Sequence, residues 1–295
     1  MFKFWKKKSN KIQVEPEAGS PINAPGATLA ITASVQSDVG CHREINEDSS
    51  AYVDPSDDVL VSARGRLVVV ADGMGGHLAG EVASRMAVDV ISRVYYQTPG
   101  DALAALRTSF AEANREIYQS STEVQGRNGM GTTCTALVLR NGTALAAHVG
   151  DSRLYLIRGG QIYLMTEDHS AVMELVKRGL LTREQARHHP DKNVILRALG
   201  SHSEVEISIW DEPFPIRGGD RFLLCSDGLY DLVEDKEIME VVLASDSHSA
   251  CAGLITLAKE RGGYDNITVA VVGIGVDGRT CSNNIRQTRE AEAAV

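Results

Sequence analysis

Four apolar, strand-like runs in this chain end on, or begin from, an aspartate beside glycine or asparagine. A buried strand fixes the backbone, and the turn beyond it projects one side chain while glycine lets backbone carbonyls approach a ligand. Several carboxylates gathered at such turns would repel one another unless cations lay between them. Asp-Gly is also a common turn dipeptide, so a single occurrence indicates only a turn, whereas four together predict a metal site. The aspartates are Asp72 in LVVVADGMGG, Asp151 in ALAAHVGDSR, Asp227 in RFLLCSDG and Asp265 in DNITVAVVGIG.

The composition is that of a globular protein with one substantial domain, since 43% of the 295 residues are hydrophobic and 23% are charged. The formal net charge of −9 argues against nucleic-acid binding, because phosphate backbones are neutralised by clustered Lys and Arg. The five cysteines show no CxxC spacing, which argues against a zinc site or a disulfide framework and favours a reducing, cytoplasmic location. No apolar run reaches the roughly 18 residues of a transmembrane helix.

The two ends of the chain differ in composition from its centre. Residues 1–28 begin with the basic aromatic segment MFKFWKKKSNK and continue as a linker rich in Pro, Gly and Ala. We expect a disordered tail whose basic part makes, at most, a weak contact with an anionic membrane surface. Residues 29–276 are expected to form one folded domain, and residues 277–295 a polar tail.

Hydrophobic periodicity predicts an α+β fold. Strand-like runs flank the polar segment SDVGCHREINED, and two amphipathic helices follow the run LVVVAD. Four short runs, from GTTCTALVLR to QIYLMT, are separated by Asn141-Gly142, Asp151-Ser152 and Gly159-Gly160, the turn signals of an antiparallel meander. Strands are expected at VEISIW, DRFLLCS and ITVAVVGIG, and helices at DKEIMEVVLA and HSACAGLITLAKERG. Because strands and helices are grouped, we expect two stacked antiparallel sheets with helices outside.

Residues 168–200 differ in pattern from the strands around them. They are polar and helical, with a capping box from Thr182 to Gln185 and the basic, His-rich stretch ARHHPDKN. We expect this segment to form a flap inserted between strands.

The acidic residues predict a site for hard divalent cations, because Mg²⁺ and Mn²⁺ prefer oxygen ligands. Two such metals roughly 3.5 to 4 Å apart can bind a phosphoryl group and activate the attacking water. Arg43, four residues before Glu47-Asp48, is placed to bind two phosphate oxygens, although a surface salt bridge would also explain it. His148 lies within an apolar run and is expected to be a core residue rather than a metal ligand.

Seven motifs contain these residues, and their order resembles that of the protein phosphatase 2C family. The resemblance extends from about Thr32 to Gly275, nearly all of the expected domain. The motifs are Arg43 with Glu47-Asp48, ADGMGG around Asp72, GTT at 131–133, VGDSR at 149–153, DHS at 168–170, CSDG at 225–228 and DNIT at 265–268.

The resemblance implies an α-β-β-α sandwich with a binuclear Mn²⁺ or Mg²⁺ centre in a cleft at one end of the sheets. It implies that the Asp72 carboxylate bridges the two metals and that Gly73 is a ligand through its carbonyl oxygen. Asp227 and Asp265 would be direct metal ligands.

Four further roles follow from the same resemblance. Glu47 and Asp48 would bind metal-coordinated waters, and Arg43 would bind the substrate phosphate. Asp151, together with Asp227, would bind a weaker third metal.

The implied activity is hydrolysis of phosphoserine and phosphothreonine in proteins by a water that two metals activate, without a covalent intermediate. We expect a monomer that opposes a bacterial Ser/Thr kinase. Animal members of the family carry a histidine directly after the Asp-Gly pair as the proposed general acid, but this chain has Met74 there. The proton donor is therefore open between a metal-bound water and His77, and His169 is expected to be structural.

Two other classes of protein are alternatives. A catalytically silent phosphatase-like domain, which binds a phosphoprotein or acts as a scaffold, is expected to lack metal-ligand residues, whereas all of them are present here. A receiver-type domain, whose strand-end aspartate accepts a phosphoryl group, needs a shorter chain with alternating strands and helices.

Overall fold

The computed structural model describes residues 29–75 and 79–276. The two expected tails, residues 1–28 and 277–295, and the candidate His77 lie outside the described residues. The strands in the described part are β1 Leu29–Asp38, β2 Asp48–Val53, β3 Arg66–Met74, β4 Gly131–Thr132, β5 Cys134–Arg140, β6 Thr143–Val149, β7 Arg153–Arg158, β8 Gln161–Leu164, β9 Ser208–Ile209, β10 Phe214–Pro215, β11 Arg221–Cys225 and β12 Ile267–Val276. The helices there are α1 Asp58–Arg64, α2 Ala79–Gln97, α3 Ala102–Glu123, α4 Ala171–Lys177, α5 Arg183–Arg187, α6 Asp227–Tyr230, α7 Asp235–Ala244 and α8 Ser247–Glu260.

Two antiparallel sheets form the centre of the domain. The first sheet has the strand order β1-β12-β11-β7-β8, and the second has the order β10-β6-β5-β3-β2, with β4 beside β3 and β9 beside β6. The predicted fold class, two stacked antiparallel sheets flanked by helices, is confirmed. No helix in the described part of the chain is long and apolar enough to cross a membrane.

The central strands of each sheet, such as β3, β5, β11 and β12, are buried on both faces, which explains why they read as continuous apolar runs rather than alternating ones. The edge strands β1, β2 and β8 are only partly buried. In β3, Leu67 and Val69 pack against α2 and α3, while Val68 and Val70 contact the other sheet. The first sheet similarly packs its outer face against α7 and α8. The result is a four-layer α-β-β-α sandwich with three apolar layers between its elements.

The predicted four-strand meander is wrong at its middle turn. β5 pairs with β6, and β7 pairs with β8, but β6 and β7 belong to different sheets. The chain passes from one sheet to the other at Gly150, whose φ of +108° suits glycine, and a Cβ there would lie 2.5 Å from the Thr133 Cβ. The turn signal at Asp151-Ser152 therefore marks a crossover between sheets, not a hairpin.

The segment VEISIW forms only the two-residue strand β9, and neither α1 nor α6 was expected from the sequence. In the flap region, α5 carries the predicted capping box, in which the Thr182 and Gln185 side chains bond each other's backbone N–H groups. A cavity of about 300 Å³ is lined by flap residues such as Arg183 and, on its other side, by Asp151 and Tyr230.

Candidate metal centre

Two of the predicted acids face each other across neighbouring strands. Asp48 begins β2 and is the Cα partner of Asp72 on β3, so their backbones are about 5 Å apart. The Gly73 N–H also donates to the Glu47 carbonyl (3.1 Å). A Cβ on Gly73 would lie 2.1 Å from the Gly80 carbonyl oxygen, so only glycine fits where β3 meets the start of α2.

Asp227 and Asp265 lie together at one end of the first sheet. Asp227 follows β11 and begins α6, and Asp265 lies two residues before the start of β12, the neighbour of β11. The two turns touch, because a Cβ on Gly228 would lie 2.1 Å from the Asn266 carbonyl oxygen. Asp151 lies at the crossover that joins the two sheets, so all the predicted acids belong to the same end of the sandwich.

Electrostatic coupling shows how closely these carboxylates are grouped. Burial raises the pKa of Asp72 well above its ordinary value, and Asp48, Asp227, Asp151 and Asp265 raise it further through their charges. The pKa of Asp227 is also raised well above its ordinary value, first by burial and then by neighbouring acids. Burial raises the pKa of Asp48 to about 6 and that of Asp151 to about 7. Such a set of acids disfavours its own ionisation unless cations neutralise it.

Three carboxylate oxygens in the cleft are buried and have no hydrogen-bond partner, namely Glu47 Oε1, Asp48 Oδ1 and Asp227 Oδ1. Buried polar atoms are normally satisfied, so an unpartnered oxygen needs an explanation such as a bound ion or water. Hard divalent cations bind carboxylate oxygens, so the residues present fit Mg²⁺ or Mn²⁺.

Among residues 29–75 and 79–276, no three His, Cys, Asp or Glu side chains form a ready-made ligand set for one ion. The three carboxylates that the resemblance implies as direct ligands, Asp72, Asp227 and Asp265, are therefore not arranged around one common ion position in this structure. Asp265 Oδ2 is instead paired with Arg43 Nη2 at 2.8 Å.

Arg43 contacts one of the predicted metal ligands. Its Nη2 donates to Asp265 Oδ2 at 2.8 Å, and both side chains are partly exposed. This hydrogen bond is the main cause of the raised pKa of Arg43, to which the charges of Glu47 and Asp227 also contribute. The guanidinium therefore lies at the rim of the acidic cleft, and the salt bridge that was the alternative explanation of Arg43 is present as well.

Two threonines and a serine position the acids, although the sequence analysis gave them no role. The Asp72 carbonyl accepts from Thr132 Oγ1 (2.8 Å) and from the Thr133 N–H (2.8 Å). The Asp72 N–H donates to Thr133 Oγ1 (3.0 Å). Ser226 Oγ donates to Asp48 Oδ2 (2.7 Å) and so links the two sheets. These residues lie in the motifs GTT and CSDG, which were the signal for them.

Asn266 fixes the loop that carries Arg43. Its Oδ1 accepts from the Glu47 N–H (2.7 Å), and its Nδ2 donates to the carbonyls of Val39 (2.9 Å) and Ile45 (3.0 Å). The side chain thus uses its acceptor and its donors on one loop. Its backbone partners are more than 200 residues away, so local sequence patterns gave no sign of this role.

Asp231 is a further acid of the cleft that the sequence analysis missed. Its charge raises the pKa of both Asp227 and Asp151, and it forms an ion pair with Lys192 of the flap. The four-residue spacing from Asp227 was the available signal, because residues i and i+4 share one face of a helix.

The two histidines predicted to be structural are buried in the core. His148 Nδ1 is hydrogen-bonded to Thr135 Oγ1 at 2.8 Å, and burial lowers its pKa to about 4. His169 Nδ1 accepts from the Gly150 N–H (3.0 Å) and Nε2 contacts Ser208 Oγ (2.9 Å). Both rings therefore lie beside the crossover.

The four-layer fold with an acidic cleft at one end defines the class of metal-dependent phosphatases. Residues 44–254 match the protein phosphatase 2C family. The chain is similar to the serine/threonine phosphatase stp of Listeria monocytogenes, with 39% identity over 246 residues that cover 81% of this chain and 94% of that protein.

Solved structures give the same result. The crystal structure of the Mycobacterium tuberculosis serine/threonine phosphatase PstP/Ppp has a TM-score of 0.73 and 37% identity, covering 83% of this chain and 99% of that one. The catalytic domain of PstP in complex with two manganese ions has a TM-score of 0.71 and 37% identity, covering 84% of this chain and 100% of that one. The chain belongs to the protein phosphatase 2C family.

Proposed function

We propose that this chain removes phosphate from phosphoserine and phosphothreonine in proteins, at the acidic cleft formed by Asp48, Asp72, Asp227 and Asp265. The chain is a metal-dependent phosphoprotein phosphatase, and the names of its relatives support the serine/threonine specificity. The observation that carries the site assignment is the group of buried carboxylate oxygens without a hydrogen-bond partner.

Two Mn²⁺ or Mg²⁺ ions, when bound, supply the charge that neutralises the phosphoryl oxygens and activate the attacking water. The Asp72 carboxylate would bridge them, and Asp227, Asp265 and the Gly73 carbonyl would complete the direct ligands. Asp151, at the sheet crossover near Asp227, would contribute to a weaker third site.

Arg43 would bind the substrate phosphate at the rim of the cleft. A guanidinium has five N–H donors, so the hydrogen bond to Asp265 leaves others for phosphate oxygens. Glu47 and Asp48 would orient waters through their unpartnered oxygens. Met74 has no proton to give to the leaving serine oxygen, so that proton comes from another group.

The cellular setting belongs to the same proposal. The catalytic domain would span residues 29–276, with the flap at about 168–200, and act as a cytoplasmic monomer on phosphoproteins made by a Ser/Thr kinase. The basic aromatic residues 1–11 would add, at most, a weak contact with an anionic membrane surface.

Replacing Asp227 tests the site. Purified Asp227→Ala protein should lose Mn²⁺-dependent hydrolysis of p-nitrophenyl phosphate and of a phosphothreonine peptide while its circular dichroism spectrum stays unchanged. The exposed Asp211 supplies a matched control, Asp211→Ala. Undiminished turnover by Asp227→Ala would contradict the site assignment, and no turnover by the wild type with either metal would favour the silent phosphatase-like domain.

A further inference from the structure

His42 and Tyr264 form an aromatic pair on the surface beside the metal centre. Their ring centroids are 5.1 Å apart, with the ring planes inclined by 31°. Tyr264 is 62% exposed, and His42 is exposed as well. Covering an exposed aromatic ring with a ligand removes apolar surface from water, which favours binding. Neither ring has a part in the proposed catalytic roles.

The pair lies next to the proposed phosphate-binding group. His42 directly precedes Arg43, and Tyr264 directly precedes Asp265, so the ring contact and the 2.8 Å ion pair join the same two segments. Consecutive Cα atoms are about 3.8 Å apart. A phosphorylated side chain bound at Arg43 would therefore bring its neighbouring residues close to the rings.

The backbone fixes the pair in place. The Cys41 N–H donates to the Gly263 carbonyl (2.7 Å), which joins the two segments. At Gly262 the φ is +122°, and a Cβ would lie 2.5 Å from the Tyr264 Cζ. The tyrosine ring thus packs over bare backbone while it stays exposed, and a ring fixed before binding loses little conformational entropy when a ligand arrives.

The charges around the pair favour a cationic ligand. Lys259 is paired with Asp38 (2.8 Å), and Arg261 is paired with Glu237 (2.6 Å), so these two cations are already neutralised by carboxylates. Glu44, two residues after His42, is exposed, and the chain has a formal net charge of −9. Aromatic faces attract lysine and arginine side chains.

We propose that the His42–Tyr264 pair binds a lysine or arginine side chain adjacent to the phosphorylated residue, which gives the enzyme a preference for basic phosphosites. This inference rests on the proposed function, since it extends the same site from the phosphate to the residues that flank it.

Matched phosphothreonine peptides test the preference. They carry Arg, Leu, Ala or Glu at both positions that flank the phosphothreonine, and their kcat/KM is divided by that for p-nitrophenyl phosphate, which has no flanking residue. The wild type should favour the Arg peptide. Tyr264→Ala and Tyr264→Leu should each reduce the ratio for the Arg peptide about threefold, as expected for one exposed cation–π contact, whereas Tyr264→Phe should retain it.

The outcomes separate the explanations. Equal ratios for all four peptides with the wild type would overturn the proposal. The proposal would also be overturned if Tyr264→Ala lowered kcat/KM by the same factor on every substrate, which would mean that the ring only supports the loop. Wild-type kcat/KM on the Arg peptide in Tyr264→Leu would overturn it as well, because it would mean that the contact is apolar. Absence of turnover of p-nitrophenyl phosphate and of all four peptides by the wild type, with either Mn²⁺ or Mg²⁺, would instead refute the proposed function.

Discussion

The metal-free protein should lose stability as the pH rises from about 4 to about 7, because Asp48 is buried where its charge is unfavourable. The residue is 7% exposed, and burial raises its pKa from 3.8 to about 6 despite the hydrogen bond from Ser226 Oγ. In the unfolded chain the Asp48 carboxyl ionises at its ordinary pKa of 3.8. Between about pH 4 and pH 6 the folded protein therefore keeps this carboxyl protonated while the unfolded chain has lost the proton. The stabilisation is fully present below the unfolded pKa and is lost as the pH rises through 6.

The size of the effect follows from the two pKa values. A difference of one pKa unit between the folded and unfolded states corresponds to about 1.4 kcal/mol. Ionisation of Asp48 should therefore lower the free energy of unfolding of the metal-free protein by about 3 kcal/mol at neutral pH, relative to low pH. Asp48→Asn removes the titrating group, keeps the side-chain shape and leaves an oxygen that can accept from Ser226 Oγ. We therefore expect the metal-free variant to be more stable than the wild type by about 2–3 kcal/mol at neutral pH, and about equally stable near pH 4.

Urea unfolding followed by circular dichroism, with EDTA present, measures this difference across the pH range. Asp211→Asn, at an exposed position, controls for the loss of one negative charge. Excess Mn²⁺ should reverse the order, because a ligand that binds only the folded state stabilises the protein that binds it better. Parallel pH profiles of wild type and Asp48→Asn in EDTA would refute the reasoning.

Three further changes test other parts of the cleft. Asp151→Ala should reduce Mn²⁺-dependent hydrolysis of p-nitrophenyl phosphate less than Asp72→Ala does, because the former would lose only the third site; equal losses would contradict this ranking. Gly73→Ala should lower the free energy of unfolding by about 1–3 kcal/mol, because its Cβ would lie 2.1 Å from the Gly80 carbonyl oxygen; an unchanged urea midpoint would count against that packing. Asn266→Ala should release the loop that it fixes and raise the KM for p-nitrophenyl phosphate, and a wild-type KM would show that the loop is fixed by other contacts.

The positions of the acids could be predicted because each signal is local. An apolar run followed by Asp and Gly predicts a strand end, and this is correct at Asp227, whereas β3 continues past Asp72 to Met74. The stacking of the two sheets then brings these acids together, and the charge of Asp227 raises the pKa of Asp72. Their roles as metal ligands stay a prediction until metal binding is measured.

Other features depend on contacts between distant segments and left no local pattern. The turn at Asp151-Ser152 has the same composition as a hairpin turn, and only the packing of the two sheets makes it a crossover. From the sequence, Asn266 is only the residue before a predicted strand. Its side chain nevertheless forms hydrogen bonds with a loop more than 200 residues away in the sequence. Tertiary contacts of this kind override local propensity.

The cleft draws its acids from both sheets, which couples metal binding to the sandwich as a whole. Asp48 and Asp72 belong to the second sheet, whereas Asp227 and Asp265 adjoin strands of the first. Repulsion among these acids therefore pushes the two sheets apart, whereas the apolar layer between the sheets holds them together. The hydrogen bond from Ser226 Oγ to Asp48 also connects the two sheets. Cations bound between the acids would convert this repulsion into attraction. Because the acids meet only when both sheets are packed, metal affinity and folding stability should change together in variants of the layer between the sheets.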